Sequence, residues 1–162
     1  MQPHPNVQAV QDALDAAGAR DAAGRPCLVK VLTTPVHTAA AAAEALGIEV
    51  GQIANSLIFN ADGEALLVLT SGAHRVDTGK VAALLGVSKV KRADAEFVRS
   101  GTGQVIGGVS PLGHPKPLRT LVDVDLAQYG EVWAAGGIPQ AVFPITYAEL
   151  VRVTSGTAAE VA

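Results

Sequence analysis

The sequence predicts an α/β chain of the α+β type: a mixed, curled central β-sheet with helices packed around it, as a single domain over residues 1–162. Three observations point there. Segments of helical and of strand periodicity alternate along the chain, which calls for helices layered on a sheet. Asn60-Ala-Asp-Gly63 lies between two apolar runs as a hairpin signal, so the sheet is not purely parallel. Hydrophobic residues make up 49% of the 162 positions but aromatic ones only 4%, which gives a sizeable core of Val, Leu, Ile and Ala.

Each element follows from local pattern. Val7, Val10, Leu14 and Ala17 are spaced for an amphipathic helix, with Asn6 as its N-cap and Gly18 as its stop. Cys27 to Thr33 reads as a strand. Thr38 caps an alanine-rich helix ending at Gly47. Ile53 to Phe59 and Ala65 to Thr70 are the arms of the hairpin. Asp77 opens a helix through Leu85, ended by Gly86; Val87 to Val90 is a short strand, and Asp94 to Arg99 a short helix. Leu118 to Val124 and Glu131 to Ala134 extend as strands. Thr146-Tyr-Ala-Glu149 is a capping-box pattern that opens a last helix. The tail from Thr154 is small and polar, and is expected to fray.

Composition narrows function. Charged residues are sparse at 17% and the net charge is −3, so a general nucleic-acid-coating role is not expected and DNA is not an expected partner. One RNA end met by a small basic group remains compatible with that balance. Cys27 is the only cysteine, which excludes an intramolecular disulfide and a cysteine-based zinc cluster. Met1 to Pro5 lacks the basic and apolar regions of a leader, and no run of about 18 apolar residues exists. A cytoplasmic protein with no membrane partner is expected.

The densest functional signal is Gly101-Thr-Gly-Gln-Val-Ile-Gly-Gly-Val-Ser-Pro-Leu-Gly-His-Pro115, with five glycines and two prolines in fifteen residues. Glycine permits close approach to bare main chain, so the stretch reads either as a plain loop or as a pocket wall of peptide groups. In the second reading Gly107 and Gly108 present their amides into a cleft bordered by Ser110 and Asn55. No lysine completes a P-loop, and Gly107 comes one residue late for a dinucleotide fingerprint. The four histidines, at 4, 37, 74 and 114, show no i,i+4 pairing and no ligand clustering, so no metal and no cofactor is expected. His37 either caps the following helix or takes part in chemistry; His114 is open between the two. Asp123 and Asp125 are either solvated carboxylates at a strand end or an acid pair. Arg75, Lys80, Lys91, Arg92 and Arg99 are either a solvated face or phosphate contacts. No serine sits in a nucleophile elbow. What remains is a pocket able to polarise a carbonyl and place a water.

Thr38 to Gly47, Ile53-Ala-Asn-Ser-Leu-Ile-Phe59, Leu67-Val-Leu-Thr-Ser-Gly72, Arg75-Val-Asp77, Gly103, Gly107-Gly-Val-Ser-Pro111 and Val122-Asp123, in that order, resemble the YbaK/EbsC family over residues 28–152. That family is similar to the editing domain of bacterial prolyl-tRNA synthetase. The resemblance implies a trans-acting, metal-independent deacylase that cleaves the ester of a mischarged tRNA. Its partners would be the tRNA acceptor end and an aminoacyl-tRNA synthetase. The loop matching Gly107 to Pro111 would hold the substrate, and water assisted by the tRNA's own ribose hydroxyl would attack. Asn55, Ser56, Gly107 and Gly108 are the implied catalytic group. Ser110, Pro111, His114, Asp123 and Gly136 would bind substrate, and Arg75, Lys80, Lys91 and Arg92 would meet tRNA. Editing members of the family usually carry lysine where this chain has Asn55. The alternative is a binding module that kept the pocket and lost the reaction.

Overall fold

The computed structural model describes residues 4–162; Met1 to Pro3, part of the stretch read for a leader, lie outside them. Eight strands form one mixed sheet: β1 (Lys30–Val31), β2 (Ile53–Ala61), β3 (Glu64–Ser71), β4 (Val90–Arg92), β5 (Arg119–Asp123), β6 (Val132–Ala135), β7 (Ala141–Ile145) and β8 (Thr157–Ala159). Their order is β1-β7-β6-β2-β3-β5-β8, with β4 pairing β2 off that path. The β2–β3 hairpin is antiparallel, whereas β2–β6, β3–β5 and β5–β8 are parallel. The expected mixed sheet is therefore present.

Among the described residues, five α-helices cover both faces: α1 (Pro5–Ala17), α2 (Ala39–Leu46), α3 (Thr78–Leu85), α4 (Ala95–Thr102) and α5 (Tyr147–Thr154). Strand alternation explains the layering. Leu67 and Leu69 of β3 pack with Val10 and Leu14 of α1, Val98 of α4 and Leu150 of α5. Leu66 and Val68 point the other way, against Val81 of α3, and Ile53 of β2 packs on Ala42 and Ala43 of α2. Helix ends follow local chemistry. Thr38, Asp77, Asp94 and Thr146 each accept from a first-turn amide, and Gly18, Gly47, Gly86 and Gly103 close their helices in the left-handed conformation.

Four local expectations are corrected. The first cap is His4, whose Nδ1 accepts from the Asn6 amide at 3.0 Å, because Asn6 itself lies inside the helix. The Cys27 strand shrinks to two residues, since only Lys30 and Val31 reach β7. The strand after α3 starts at Val90, where the chain comes alongside β2. The tail does not fray: β8 extends the sheet beside β5, and Val161 is fully buried against the α3 cluster. β7, with Pro144 inside it, was not anticipated at all.

Candidate functional site

The site forms where the sheet leaves a slot. One edge of β2 is taken by β3 along its whole length. On the other edge β2 pairs β6 through Ile53 and Ala54, and β4 through Phe59, Asn60 and Ala61. Asn55 to Ile58 lie between, with no strand beside them. The turn leading into α2 and the glycine loop close over this gap and leave two adjoining chambers. The smaller, about 40 Å³, is walled by Ala54, Ala134, Val109, Val142 and Trp133; the larger, about 280 Å³, runs from Asn55 past Phe59 to Arg92 and Ile106. Both share His37, Asn55, Ser56 and Gly107.

Neighbours on a strand point to opposite faces. Asn55 follows the parity of Ile53, toward the α2 side, and Ser56 that of Ala54 and Ile58, toward the side of α1, α4 and α5. The slot lets one cleft touch both. Ser56 Oγ is buried without a hydrogen-bond partner, the one such side-chain atom among the described residues. An unmade bond of this kind costs about 1–3 kcal/mol, and Ser56 is among the residues that line both chambers.

Gly107 has φ +90°, and a Cβ there would meet the His37 ring and main chain at 3.4 Å. That contact alone would accommodate a side chain; the left-handed φ is what favours glycine here. Thr38, not His37, caps α2, so the exposed His37 ring is left at the chamber mouth. Gly108 departs from expectation: its N–H donates to the Val105 carbonyl at 2.9 Å, closing a turn, and its Cα packs against Ile138 and Pro139. Its amide does not face the cleft.

Ser110 is likewise turned inward. It is fully buried, its N–H donates to Gln104 Oε1 at 2.9 Å, and its hydroxyl donates to the Leu112 carbonyl at 2.6 Å. Gln104 Nε2 returns a bond to Ser110 Oγ at 2.9 Å. His114 Nε2 meets the Ser110 carbonyl at 2.8 Å; a carbonyl only accepts, so Nε2 carries the hydrogen. Burial holds the His114 pKa below its ordinary value, with the Ser110 bond pulling the other way. Gln104, missed in the sequence, is thus the inner strut of the glycine loop.

Arg92 apart, the structure places the remaining candidates away from the slot. Pro111 and His114 line a separate groove with Lys116 and Arg119. Gly136 is buried against Val29 and Ala141, where a Cβ would not fit. Asp123 is 1% exposed, and its Oδ2 accepts from the Ser71 amide at 2.9 Å, the Thr70 hydroxyl at 3.3 Å and His74 Nδ1 at 2.9 Å. His74 Nε2 reaches Asp125 at 2.6 Å, so this cluster clamps the end of β3 to β5. Among the bases, Arg92 lines the larger chamber; Lys91 faces a groove beside the hairpin turn. Lys80 is tied to the Ala162 carbonyl at 3.0 Å and to Glu160 at 3.6 Å, and Arg75 is exposed. Among the described residues, no three His, Cys, Asp or Glu side chains gather as a metal site, and no helix is long and apolar enough to cross a membrane.

The aminoacyl-tRNA editing domain profile matches residues 33–153. The chain belongs to the aminoacyl-tRNA editing domain family. A crystal structure of a candidate trans-editing enzyme for prolyl-tRNA synthetase is 42% identical and superposes with a TM-score of 0.88, covering 98% of each chain. A candidate Cys-tRNA(Pro)/Cys-tRNA(Cys) deacylase, EbsC of Enterococcus faecalis, is 28% identical over 73% of this chain and 77% of its own length. The proline–tRNA ligase of Maridesulfovibrio salexigens is 31% identical over 68% of this chain, but this editing domain spans only 19% of that ligase. Membership supports aminoacyl-tRNA editing by deacylation as the activity class, and the resemblance to YbaK/EbsC holds.

Proposed function

We propose that this editing domain acts in trans on a mischarged tRNA, hydrolysing the ester between a small amino acid and the terminal ribose. The observation that carries the reading is the slot beside β2. It offers an amide side chain, an unpartnered buried hydroxyl and bare main chain around a small apolar recess, with a larger chamber rimmed by a cation.

Ester hydrolysis needs a water delivered to the acyl carbon and donors for the oxygen on which negative charge develops. Asn55 Nδ2 and Ser56 Oγ are the donors we assign. Water attacks the acyl carbon, the bond to the ribose oxygen breaks, and that oxygen leaves with a proton; the neighbouring ribose hydroxyl is the group we assign to relay it. None of this routes a step through a metal. The recess is small, about 40 Å³, and walled largely by apolar groups, which suits a compact side chain such as that of alanine, serine or cysteine. The ribose and adenine take the larger chamber, and Arg92 meets the 5′ phosphate of that terminal nucleotide.

A panel of aminoacyl-tRNAs, incubated with purified protein in the presence and absence of EDTA, tests this. Release of small amino acids at equal rates in both conditions is the expected result. Loss of activity in EDTA with recovery on zinc overturns the metal-free mechanism. Asn55 favours a second reading, a binding module without the reaction, because it lacks the charge of the family's usual lysine; tight binding with no hydrolysis across the panel would establish it.

A further inference from the structure

The slot exposes main chain on the open edge of β2. Gly72 donates to the Ile53 carbonyl at 2.8 Å, which fixes the parity of the β2–β3 ladder. In an antiparallel pair each residue points both its N–H and its C=O to the same edge, and successive residues alternate. Ile53, Asn55, Leu57 and Phe59 therefore bond to β3, and Ala54, Ser56, Ile58 and Asn60 face the other edge. Asp62, of the same even parity, donates to the Lys89 carbonyl on the β4 side at 3.2 Å, in agreement. Ala54 lies in the β6 ladder and Asn60 in the β4 ladder, while β4 ends opposite Phe59. Ser56 sits midway, its N–H and C=O turned into the cleft with no strand to receive them.

We propose that Ser56 reads the aminoacyl group as a one-residue strand. An aminoacyl ester carries an ammonium donor and a carbonyl acceptor on either side of one α-carbon, the pattern an antiparallel neighbour presents. The Ser56 N–H donates to the acyl carbonyl, and the Ser56 carbonyl accepts from the α-ammonium. This main-chain pair positions the acyl carbon and makes a free α-amino group a condition of binding, whichever side chain fills the recess. The inference rests on the proposed aminoacyl ligand but not on its hydrolysis.

The test uses two non-hydrolysable probes, 3′-deoxyadenosine bearing alanine in amide linkage at the 3′ position and the same compound with a propionyl group, which lacks the α-amino nitrogen. Each is titrated into the full chain by NMR. The alanyl probe is expected to bind at least tenfold more tightly. A second protein carries a backbone ester at position 56, introduced by nonsense suppression with an α-hydroxy acid, which removes that N–H and weakens the Asn55 carbonyl as an acceptor toward Thr70 of β3. Because the Ser56 N–H has no strand partner whereas that of Leu57 bonds to β3, the melting temperature should fall less than in a protein with the same backbone ester at position 57, while affinity for the alanyl probe falls about tenfold. Equal affinity for the two probes, undiminished binding by the backbone-ester protein, or no binding of either probe overturns the proposal. Discrimination between the probes without hydrolysis of any aminoacyl-tRNA leaves it standing and removes the deacylase reading instead.

Discussion

Asn55 is where a single side chain decides most. It stands at the slot on the α2 side of β2, facing the turn that carries His37 and Thr38. Lysine there would add a charge-assisted contact, typically about 1.5–3 kcal/mol. Asn55→Lys is therefore expected to raise deacylation of at least one mischarged tRNA on the order of ten- to a hundredfold, and Asn55→Ala to lower the natural rate. A slower lysine variant beside an efficient natural enzyme would instead mark Asn55 as adapted for specificity. Ser56 gives a complementary measurement. Its hydroxyl has no partner, so Ser56→Ala should leave stability unchanged or slightly higher while reducing turnover. Both residues were legible in the sequence through family resemblance, but the orphaned state of the hydroxyl was not. That state depends on which strands fail to meet β2, a property of topology rather than of the Ala-Asn-Ser-Leu string.

At the scale of the element, the glycine loop is held from inside by Gln104, Ser110 and His114. The glycine density singled out the segment, and Gly107 within it lines the cleft. It could not show which polar residues faced inward, because Ser110 and Gln104 look like ordinary loop residues until the loop folds back on itself. His114 supplies a titratable handle on this strut. Burial depresses its pKa below 6.5, so the folded state resists protonation while the unfolded chain accepts it freely. The sign follows. The contribution of the neutral ring is complete above about pH 6.5 and is lost as pH falls through the depressed native value. His114→Gln keeps a donor within reach of the Ser110 carbonyl and cannot titrate. The natural protein should therefore lose melting temperature relative to that variant between pH 7 and pH 5, a difference that differential scanning calorimetry would read directly. Parallel pH curves would show that the ring is not the titrating group.

Across the whole molecule, the sheet ties distant segments into the wall behind the slot. The hairpin, the helix caps and the alternating faces of β3 were readable because each is specified within a few residues. The order of strands was not, and neither was the docking of the tail, since Thr157 to Ala159 gain their strand only by meeting β5. Asp123 shows the same limit: a carboxylate at a strand end reads as solvated or ligand-binding until the fold closes Ser71, Thr70 and His74 around it. Removing a buried, fully paired carboxylate of this kind costs on the order of 3–5 kcal/mol, so Asp123→Ala should unfold at markedly lower urea while the folded fraction keeps its affinity for tRNA. The basic residues divide by the same logic. Lys80 is occupied by the C-terminal segment, whereas Arg92 stands free at the mouth of the larger chamber. If Arg92 meets an acceptor-end phosphate, Arg92→Ala should weaken binding of any tRNA and shallow the dependence of log affinity on log salt by somewhat less than one, the slope lost with a single phosphate contact. Lys80→Ala should leave that slope intact and lower thermal stability slightly by loosening the tail over α3. Equal salt slopes for the natural protein and the Arg92 variant, measured by filter binding or fluorescence anisotropy from low to physiological salt, would place the RNA on another face.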